Sequence, residues 1–214
     1  QDVIWQRFSG AMDANERVLA RYLQRYLTGA RRSTAKAFYE LRSQPQRVTW
    51  RGAFATDTAE NREAISYGIR RLSTQNADSA AAAWAAFSDT HTFSHAQREL
   101  ITAYVTVGLA QANQFPKPEQ REGIRADYAV QGLVSAAIAK QRWAEVEYWI
   151  SRLDPTEAGE ERIRYWLARA KSQLGEPSSF RELATQRSYY GFLAAAQQRS
   201  ATQLQAMPAQ AFTA

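Results

Sequence analysis

The apolar residues of the chain recur mostly at spacings of three and four, the period of an amphipathic α-helix. Alternating apolar and polar runs, the pattern of a half-buried strand, are hard to find, and Val and Ile are sparse. Ala, Leu, Gln, Glu and Arg, which favour helices, dominate the segments between glycines and prolines. The pattern therefore predicts an all-α protein.

The periodicity predicts a series of helices joined by short connections. They lie at about 3–13, 15–28, 31–43, 58–74, 76–88, 94–113, 119–140, 142–153, 158–174 and 177–197. Asn76 precedes an alanine-rich helix as a candidate N-cap, and Ser94 stands three residues before Gln97, the spacing of a capping box. Gly175 ends the next-to-last helix. The one long irregular connection spans 43–57.

An internal likeness favours a solenoid over a bundle. The segments 15–27, 76–88 and 141–153 each carry small or branched residues early, an aromatic residue in the middle and an apolar residue near the end. They recur at about twice the ~34-residue unit of tetratricopeptide arrays. We therefore expect an irregular superhelix of helix pairs, stabilised by contacts between successive pairs.

The net charge of +6 comes from 27 basic and 21 acidic residues among 214, and cysteine is absent. The lack of cysteine excludes disulfides, cysteine nucleophiles and thiolate metal sites. A positive excess favours polyanions such as nucleic acid, lipid head groups or an acidic wall polymer. The arginines are dispersed, however, because the densest runs, at 30–32 and 69–72, contain only two arginines each. This dispersion ranks nucleic-acid binding last.

Metal and nucleotide chemistry leave few candidates. The only histidines are His91 and His95, a spacing that would let both rings bind a metal if they shared one helix. Because Ser94 is the predicted cap of the following helix, the two rings instead straddle a loop–helix junction. The glycines form neither GxGxxG nor GxxxxGK[ST], and GxSxG is also missing. We expect no metal or nucleotide site.

Carboxylates are the remaining candidates for acid–base catalysis. Glu145, Glu147, Glu157, Glu160 and Glu161 lie on polar helix faces or at a helix start, where acids favour the positive end of the dipole. A catalytic carboxylate needs an apolar pocket to raise its pKa, and nothing in the sequence marks such a pocket. We therefore interpret these glutamates as solvated.

The aromatic residues are interpreted as core residues, because stacking on a sugar needs an exposed ring, which a sequence does not show. One buried stripe is predicted in the helix 158–174, at Ile163, Trp166, Leu167, Ala170 and Leu174. In "RSYYGFLAAA", Gly191 costs helix stability of roughly 1 kcal/mol relative to alanine. A close crossing of another helix or backbone would offset that cost, so the cluster is predicted to be a packing node.

Three successive helical motifs lie in 141–196. Their distinctive residues are Trp143, Val146, Trp149, Ile150 and Leu153; then Arg162, Tyr165, Trp166, Ala168, Arg169, Ala170, Leu174 and Gly175; then Arg187, Tyr189, Tyr190, Gly191, Phe192, Leu193, Ala194 and Ala195. This order resembles the helical region of the soluble lytic murein transglycosylases. The segment 66–87 is similar to an earlier helix pair of the same region.

The resemblance implies a right-handed α-superhelix of helix pairs, tetratricopeptide-like and of the bacterial muramidase type, located in the bacterial periplasm. In the family this region precedes a separate lysozyme-like domain. That domain cleaves the MurNAc–GlcNAc bond of peptidoglycan, leaves a 1,6-anhydro end and uses no metal or organic cofactor. Its catalytic glutamate lies in an RQES-type motif, and no glutamate–serine pair occurs here. The resemblance therefore transfers no catalytic, cofactor-binding or metal-binding residue.

We expect one superhelical domain over 1–198, followed by a C-terminal segment, 199–214, whose order is left open. Its expected function is to position peptidoglycan glycan strands, or other cell-wall enzymes, for a cutting domain that this chain lacks. Whether the chain is itself an enzyme stays open. The alternative is a tetratricopeptide-like adaptor that binds a peptide or protein in its groove. No run of about 18 apolar residues predicts a transmembrane segment.

Overall fold

The computed structural model describes residues 1–198, apart from the side chain of residue 51, and these residues form helices and no strand. The α-helices are α1 Asp2–Asp13, α2 Arg17–Gln24, α3 Gly29–Glu40, α4 Ala59–Ser73, α5 Ala77–Ser88, α6 His95–Gln111, α7 Pro118–Arg121, α8 Asp127–Ala139, α9 Trp143–Ile150, α10 Pro155–Ala158, α11 Glu161–Leu174, α12 Phe180–Leu183 and α13 Tyr189–Gln197. Two 3₁₀ helices, Pro45–Thr49 and Arg51–Phe54, occupy the predicted irregular connection. The all-α prediction is confirmed.

The described residues divide into two compact units, 1–129 and 130–198. The segment 199–214 lies outside the described residues, and a single domain over 1–198 stays a prediction. Within residues 1–198, no helix combines the length and the apolar character needed to cross a bilayer.

The first unit is built around α4, which contacts α3, α5, α6 and the first 3₁₀ helix. A helix with neighbours on several sides must be apolar around most of its circumference. The buried residues of α4 accordingly run almost without interruption from Ala64 to Ser73. The helix α6 approaches closely, because a Cβ at Gly108 would lie 2.5 Å from the Ser73 carbonyl oxygen.

The irregular connection is fixed to this core at several points. Pro45, Val48 and Phe54 are all buried. Val48 packs on α4 where Gly68 leaves room, since a Cβ at Gly68 would lie 2.9 Å from the Val48 side chain. The connection is therefore irregular in backbone and still part of the packed structure.

In the second unit, α11 packs against α9, α12 and α13. Trp149 of α9 is fully buried, and Ile163 and Ala170 of α11 are buried as the stripe predicts. Leu174 does not follow the prediction, because its side chain is 41% exposed. It is the last residue of α11, which ends at the left-handed Gly175 with φ 79°.

The capping signals predicted from the sequence are confirmed. The Asn76 side chain accepts the backbone N–H of Ser79 at 2.9 Å. Ser94 and Gln97 form the reciprocal capping box at the start of α6. Each cap joins residues only three positions apart, so the local sequence is enough to predict it.

Two long predicted helices are wrong in their continuity. The helix 158–174 corresponds to α11, which begins three residues later, whereas the helix 119–140 is interrupted between α7 and α8 and the helix 177–197 is divided into α12 and α13. In the last case Ser188 caps a new helix by accepting the N–H of Gly191 at 3.0 Å. A Cβ at Gly191 would collide with the Gln186 carbonyl oxygen. The glycine is thus a packing node, but its partner is the preceding turn of the same chain.

Candidate functional site

The helix α2 exposes apolar residues on one face while the other face packs into the core. Ala20 and Leu23 are buried, whereas Val18 is 86% exposed and Leu19 and Tyr22 are also exposed. A contiguous exposed apolar patch on a small domain often marks a binding site. The exposed face of α2 is therefore a candidate binding surface.

Three arginines border that face. Arg17, Arg21 and Arg25 follow one another at intervals of four, so they lie on the same side of α2. Together with Val18, Tyr22 and Tyr39 of α3 they line a groove of about 450 Å³. We call these six residues the arginine–tyrosine surface.

A hydrogen bond from the neighbouring Tyr26 orders one ring of this surface. The Tyr26 hydroxyl donates to the Tyr22 hydroxyl oxygen over 2.9 Å, and the two ring centroids are 5.0 Å apart. The hydrogen bond to Tyr22 raises the pKa of Tyr26 above its ordinary value, so the Tyr26 hydroxyl stays protonated at neutral pH. Tyr39 carries the Arg42 guanidinium 5.2 Å from its ring centroid. The surface thus offers rings held in place beside positive charge.

The charges of this surface are available for a ligand. Within residues 1–198, Arg17, Arg21 and Arg25 form no ion pair. Elsewhere in the unit, Arg31 pairs with Glu60 at 2.6 Å, and Arg70 pairs with Asp13 at 2.7 Å. Unpaired guanidinium groups grouped at one place attract an anion with several acceptor oxygens.

The two histidines occupy different environments. His91 is buried, with Nε2 3.0 Å from the Phe54 carbonyl oxygen and Nδ1 2.9 Å from the Thr90 hydroxyl. His95 is exposed at the start of α6, where Nδ1 lies 3.2 Å from a Glu99 carboxylate oxygen. Over residues 1–198, no group of three or more His, Asp or Glu side chains is placed to hold a metal ion.

The candidate glutamates also separate into different roles. Glu145 is buried and accepts a hydrogen bond from the Trp149 indole at 3.0 Å. Glu147 lies 3.8 Å from the Lys171 ammonium group, and Glu157 accepts from the Gln131 amide. Glu160 and Glu161 begin α11; they, Glu147 and Glu157 are not buried. Glu145 therefore departs from the expected solvated state, because it satisfies an indole N–H inside the core.

Sequence reasoning missed one further carboxylate, Glu63 of α4. Burial raises the pKa of its carboxyl group, and the hydrogen bond from the Trp5 indole, 2.8 Å long, acts in the opposite direction. Trp5 lies 58 positions away in the sequence, so no local pattern marks the pair. Its geometry is that of an acceptor for a buried indole N–H.

No protein-family model and no curated protein sequence matches the chain. Among the solved structures similar to the chain are three of lytic transglycosylases. Lytic transglycosylase Slt of Pseudomonas aeruginosa, solved as an inactive mutant, matches with TM-score 0.75 and 24% identity over 94% of this chain and 34% of its own. The 70-kDa soluble lytic transglycosylase of Escherichia coli matches with TM-score 0.66 and 18% identity over 93% of this chain and 34% of its own.

A complex of the 70-kDa soluble lytic transglycosylase with bulgecin A gives TM-score 0.67 and 19% identity, over 97% of this chain and 35% of the other. The chain therefore spans about a third of the length of each protein it matches. At these identities the likeness concerns the fold, and it agrees with the resemblance of residues 141–196. The chain has the helical fold found in part of the soluble lytic transglycosylases.

Proposed function

We propose that the chain is the non-catalytic helical region of a periplasmic lytic murein transglycosylase and holds peptidoglycan in position for a glycan-cleaving domain. The shared fold supports the family, and the arginine–tyrosine surface supports the binding role. The observation that carries the proposal is the group of three unpaired arginines on a chain with that fold.

The chemistry of peptidoglycan fits this surface. Its stem peptides end in carboxylates, and a guanidinium group binds a carboxylate through two parallel hydrogen bonds. Arg17, Arg21 and Arg25 repeat about every turn along α2, which lets one flexible anionic peptide contact more than one of them. The net charge of +6 adds a long-range attraction for the polyanion.

The test is retention of the full chain by insoluble peptidoglycan at low and at physiological salt. We expect the triple variant Arg17→Gln, Arg21→Gln, Arg25→Gln to bind about tenfold more weakly, since each exposed contact contributes about 0.5 kcal/mol. A matched control replaces three dispersed exposed arginines, Arg7, Arg32 and Arg162, and removes the same net charge. Equal losses in both variants would reduce the surface to a general charge effect and overturn the proposal.

The non-catalytic part has its own readout. The purified chain is expected to release no 1,6-anhydromuropeptides from peptidoglycan, because no catalytic glutamate is assigned to it. Release of these products above a buffer control would contradict this part of the proposal. Retention on the wall polymer and turnover of it are thus measured separately.

A second candidate function is the protein-binding adaptor, and one observation favours it. A groove of about 670 Å³ beside the arginines is lined by Val18, Leu19 and Tyr22 together with Glu16 and Arg17. An apolar groove of this kind suits an amphipathic helix of a partner protein. The variant Leu19→Ser separates the two functions, because Leu19 lines this groove and not the arginine–tyrosine surface. It should weaken capture of a partner and leave retention on peptidoglycan unchanged.

A further inference from the structure

Trp50 is the one exposed tryptophan among the six of the chain, all of which lie in the described residues. Its side chain is 57% exposed, whereas Trp5 and Trp149 are buried and the other three are half-buried. Leaving a large aromatic ring in water forgoes about 2 kcal/mol of burial free energy. Its position therefore calls for a physical reason other than packing.

The backbone holds this ring in a fixed place. Trp50 lies between the two 3₁₀ helices, at φ −82° and ψ 81°, which is close to an inverse γ-turn. Val48 before it and Phe54 after it are fully buried. The Phe54 carbonyl oxygen is also 3.0 Å from Nε2 of the buried His91. The ring thus projects from a segment that is anchored on both sides.

Side chains then fix the orientation of the ring. The Arg47 guanidinium lies 4.6 Å from the ring centroid, so it covers part of one face. Glu40 holds Arg47 through an ion pair of 2.5 Å. Glu40 and Arg47 remain about one-third exposed, so they retain hydrogen-bonding capacity toward a ligand.

These residues border a cavity of about 230 Å³. It is lined by Ser33, Lys36, Ala37, Glu40, Arg47, Trp50, Ala53 and Phe54. Pockets for drug-sized ligands measure roughly 300–1,000 Å³, so this one suits a single ring. It combines a flat aromatic surface, a carboxylate, a guanidinium group, an ammonium group and a hydroxyl, which is a mixed set of donors and acceptors.

We propose that this cavity is a saccharide subsite that takes one N-acetylated hexosamine ring of a glycan strand. The C–H face of a pyranose packs on the exposed part of Trp50, and its hydroxyls hydrogen-bond to Glu40 and Arg47. The methyl of the acetamido group fits the apolar lining at Ala37 and Ala53. This proposal deepens the proposed function, since it names the neutral part of peptidoglycan.

Charge separates this subsite from the arginine–tyrosine surface. Glu40 pairs with Arg47 at the cavity, so Lys36 is the one cation of its lining without an ion pair, whereas Arg17, Arg21 and Arg25 face no carboxylate partner within residues 1–198. The stem-peptide carboxylates therefore prefer the three arginines, and the neutral sugar takes the cavity. Each site takes a different chemical part of the same polymer.

The experiment titrates the full chain with the tetrasaccharide of N-acetylglucosamine, which has no carboxylate, and follows tryptophan fluorescence and binding heat. Trp50→Ala should weaken binding about tenfold or more, because the indole supplies the apolar surface on which the sugar packs. Trp50→Phe should recover part of the affinity, and Tyr189→Ala, which removes an exposed ring elsewhere, should leave it unchanged. Circular dichroism verifies that each variant folds.

Two results would overturn the subsite: no binding of the tetrasaccharide at millimolar concentration, or equal binding by the wild type and Trp50→Ala. Equal binding of cellotetraose, which lacks acetamido groups, would overturn the assignment to an N-acetylated sugar. A free stem peptide without sugar tests the arginine–tyrosine surface in the same assay. Failure of the subsite and failure of the proposed function are therefore distinguishable.

Discussion

In the first unit the glycines of α4 and α6 lie where separate elements meet, whereas in the second unit Gly191 lies against the turn that precedes its own helix. Gly108 faces the Ser73 carbonyl of α4, and Gly68 faces the side chains of Leu41 and Val48. Gly191 faces the carbonyl oxygens of Gln186 and Leu183. In the sequence the three positions look alike, because each is a glycine within an apolar helical pattern.

The difference between the two units shows that a glycine within a helix indicates a close contact but not which part of the chain makes that contact. At Gly108 the approach brings two helices together over a distance of 35 positions or so along the chain. At Gly191 it closes a turn of a few residues and allows a new helix to begin. Substitution of each glycine by alanine distinguishes the three cases. The new Cβ would press on the backbone of the preceding turn at Gly191, on the backbone of another helix at Gly108 and on side chains at Gly68, and these groups differ in how easily they move.

The largest effect is expected for Gly191→Ala. The new Cβ collides with the Gln186 carbonyl, and a carbonyl within a tight turn has little room to move. We expect the packing of α13 to lose about 3 kcal/mol. Hydrogen exchange of the α13 amides measures this loss directly, with the amides of α4 as the internal control. Unaltered exchange in α13 would show that the turn adjusts without cost.

The next effect is expected for Gly108→Ala, at about 2 kcal/mol of unfolding free energy. Its Cβ would lie 2.5 Å from the Ser73 carbonyl oxygen, and relief requires α6 to move away from α4. Urea unfolding of the chain measures the loss. Gly123→Ala is the matched control, since only the Gln120 carbonyl lies nearby, at 3.9 Å. Equal midpoints for both variants would contradict a close crossing of the two helices.

The smallest effect is expected for Gly68→Ala, at about 1 kcal/mol, because side chains shift more readily than backbone. Its Cβ would lie 2.9 Å from atoms of Leu41 and Val48. The double variant with Val48→Ala should lose less than the sum of the single losses, since the contact is shared. Gly10→Ala, with nothing within 4 Å, should instead stabilise the chain by about 0.5 kcal/mol. If the losses of stability from Gly68→Ala and Val48→Ala were additive, the two positions would not share the contact.

The sequence predicts those parts of the fold that depend on near neighbours. The caps at Asn76 and Ser94 and the helix end at Gly175 were all readable, because each needs only residues a few positions apart. The divisions of 119–140 and 177–197 were not readable. A helix pattern continues through Gln186 and Ser188, and only the packed turn shows that the helix starts again.

The candidate site likewise has one part that the sequence predicts and one part that only the structure shows. The spacing of Arg17, Arg21 and Arg25 is visible in the sequence, but their lack of carboxylate partners is not. Arg31 is paired with a glutamate 29 positions away and Arg70 with an aspartate 57 positions away. Which arginines remain free is therefore a property of the assembled helices. The exposure of Trp50 is equally hidden, since its neighbours are anchored by contacts with α4 and His91.

The anchored connection around Trp50 has a thermodynamic consequence. Ordering a loop costs about 1–2 kcal/mol per residue in conformational entropy, whether this happens during folding or on ligand contact. Because Pro45, Val48 and Phe54 are already buried, that cost falls on the folding of the first unit. A ligand that contacts the Trp50 ring therefore binds a segment that is already ordered. Its binding depends on encounter and fit and requires no rearrangement of the chain.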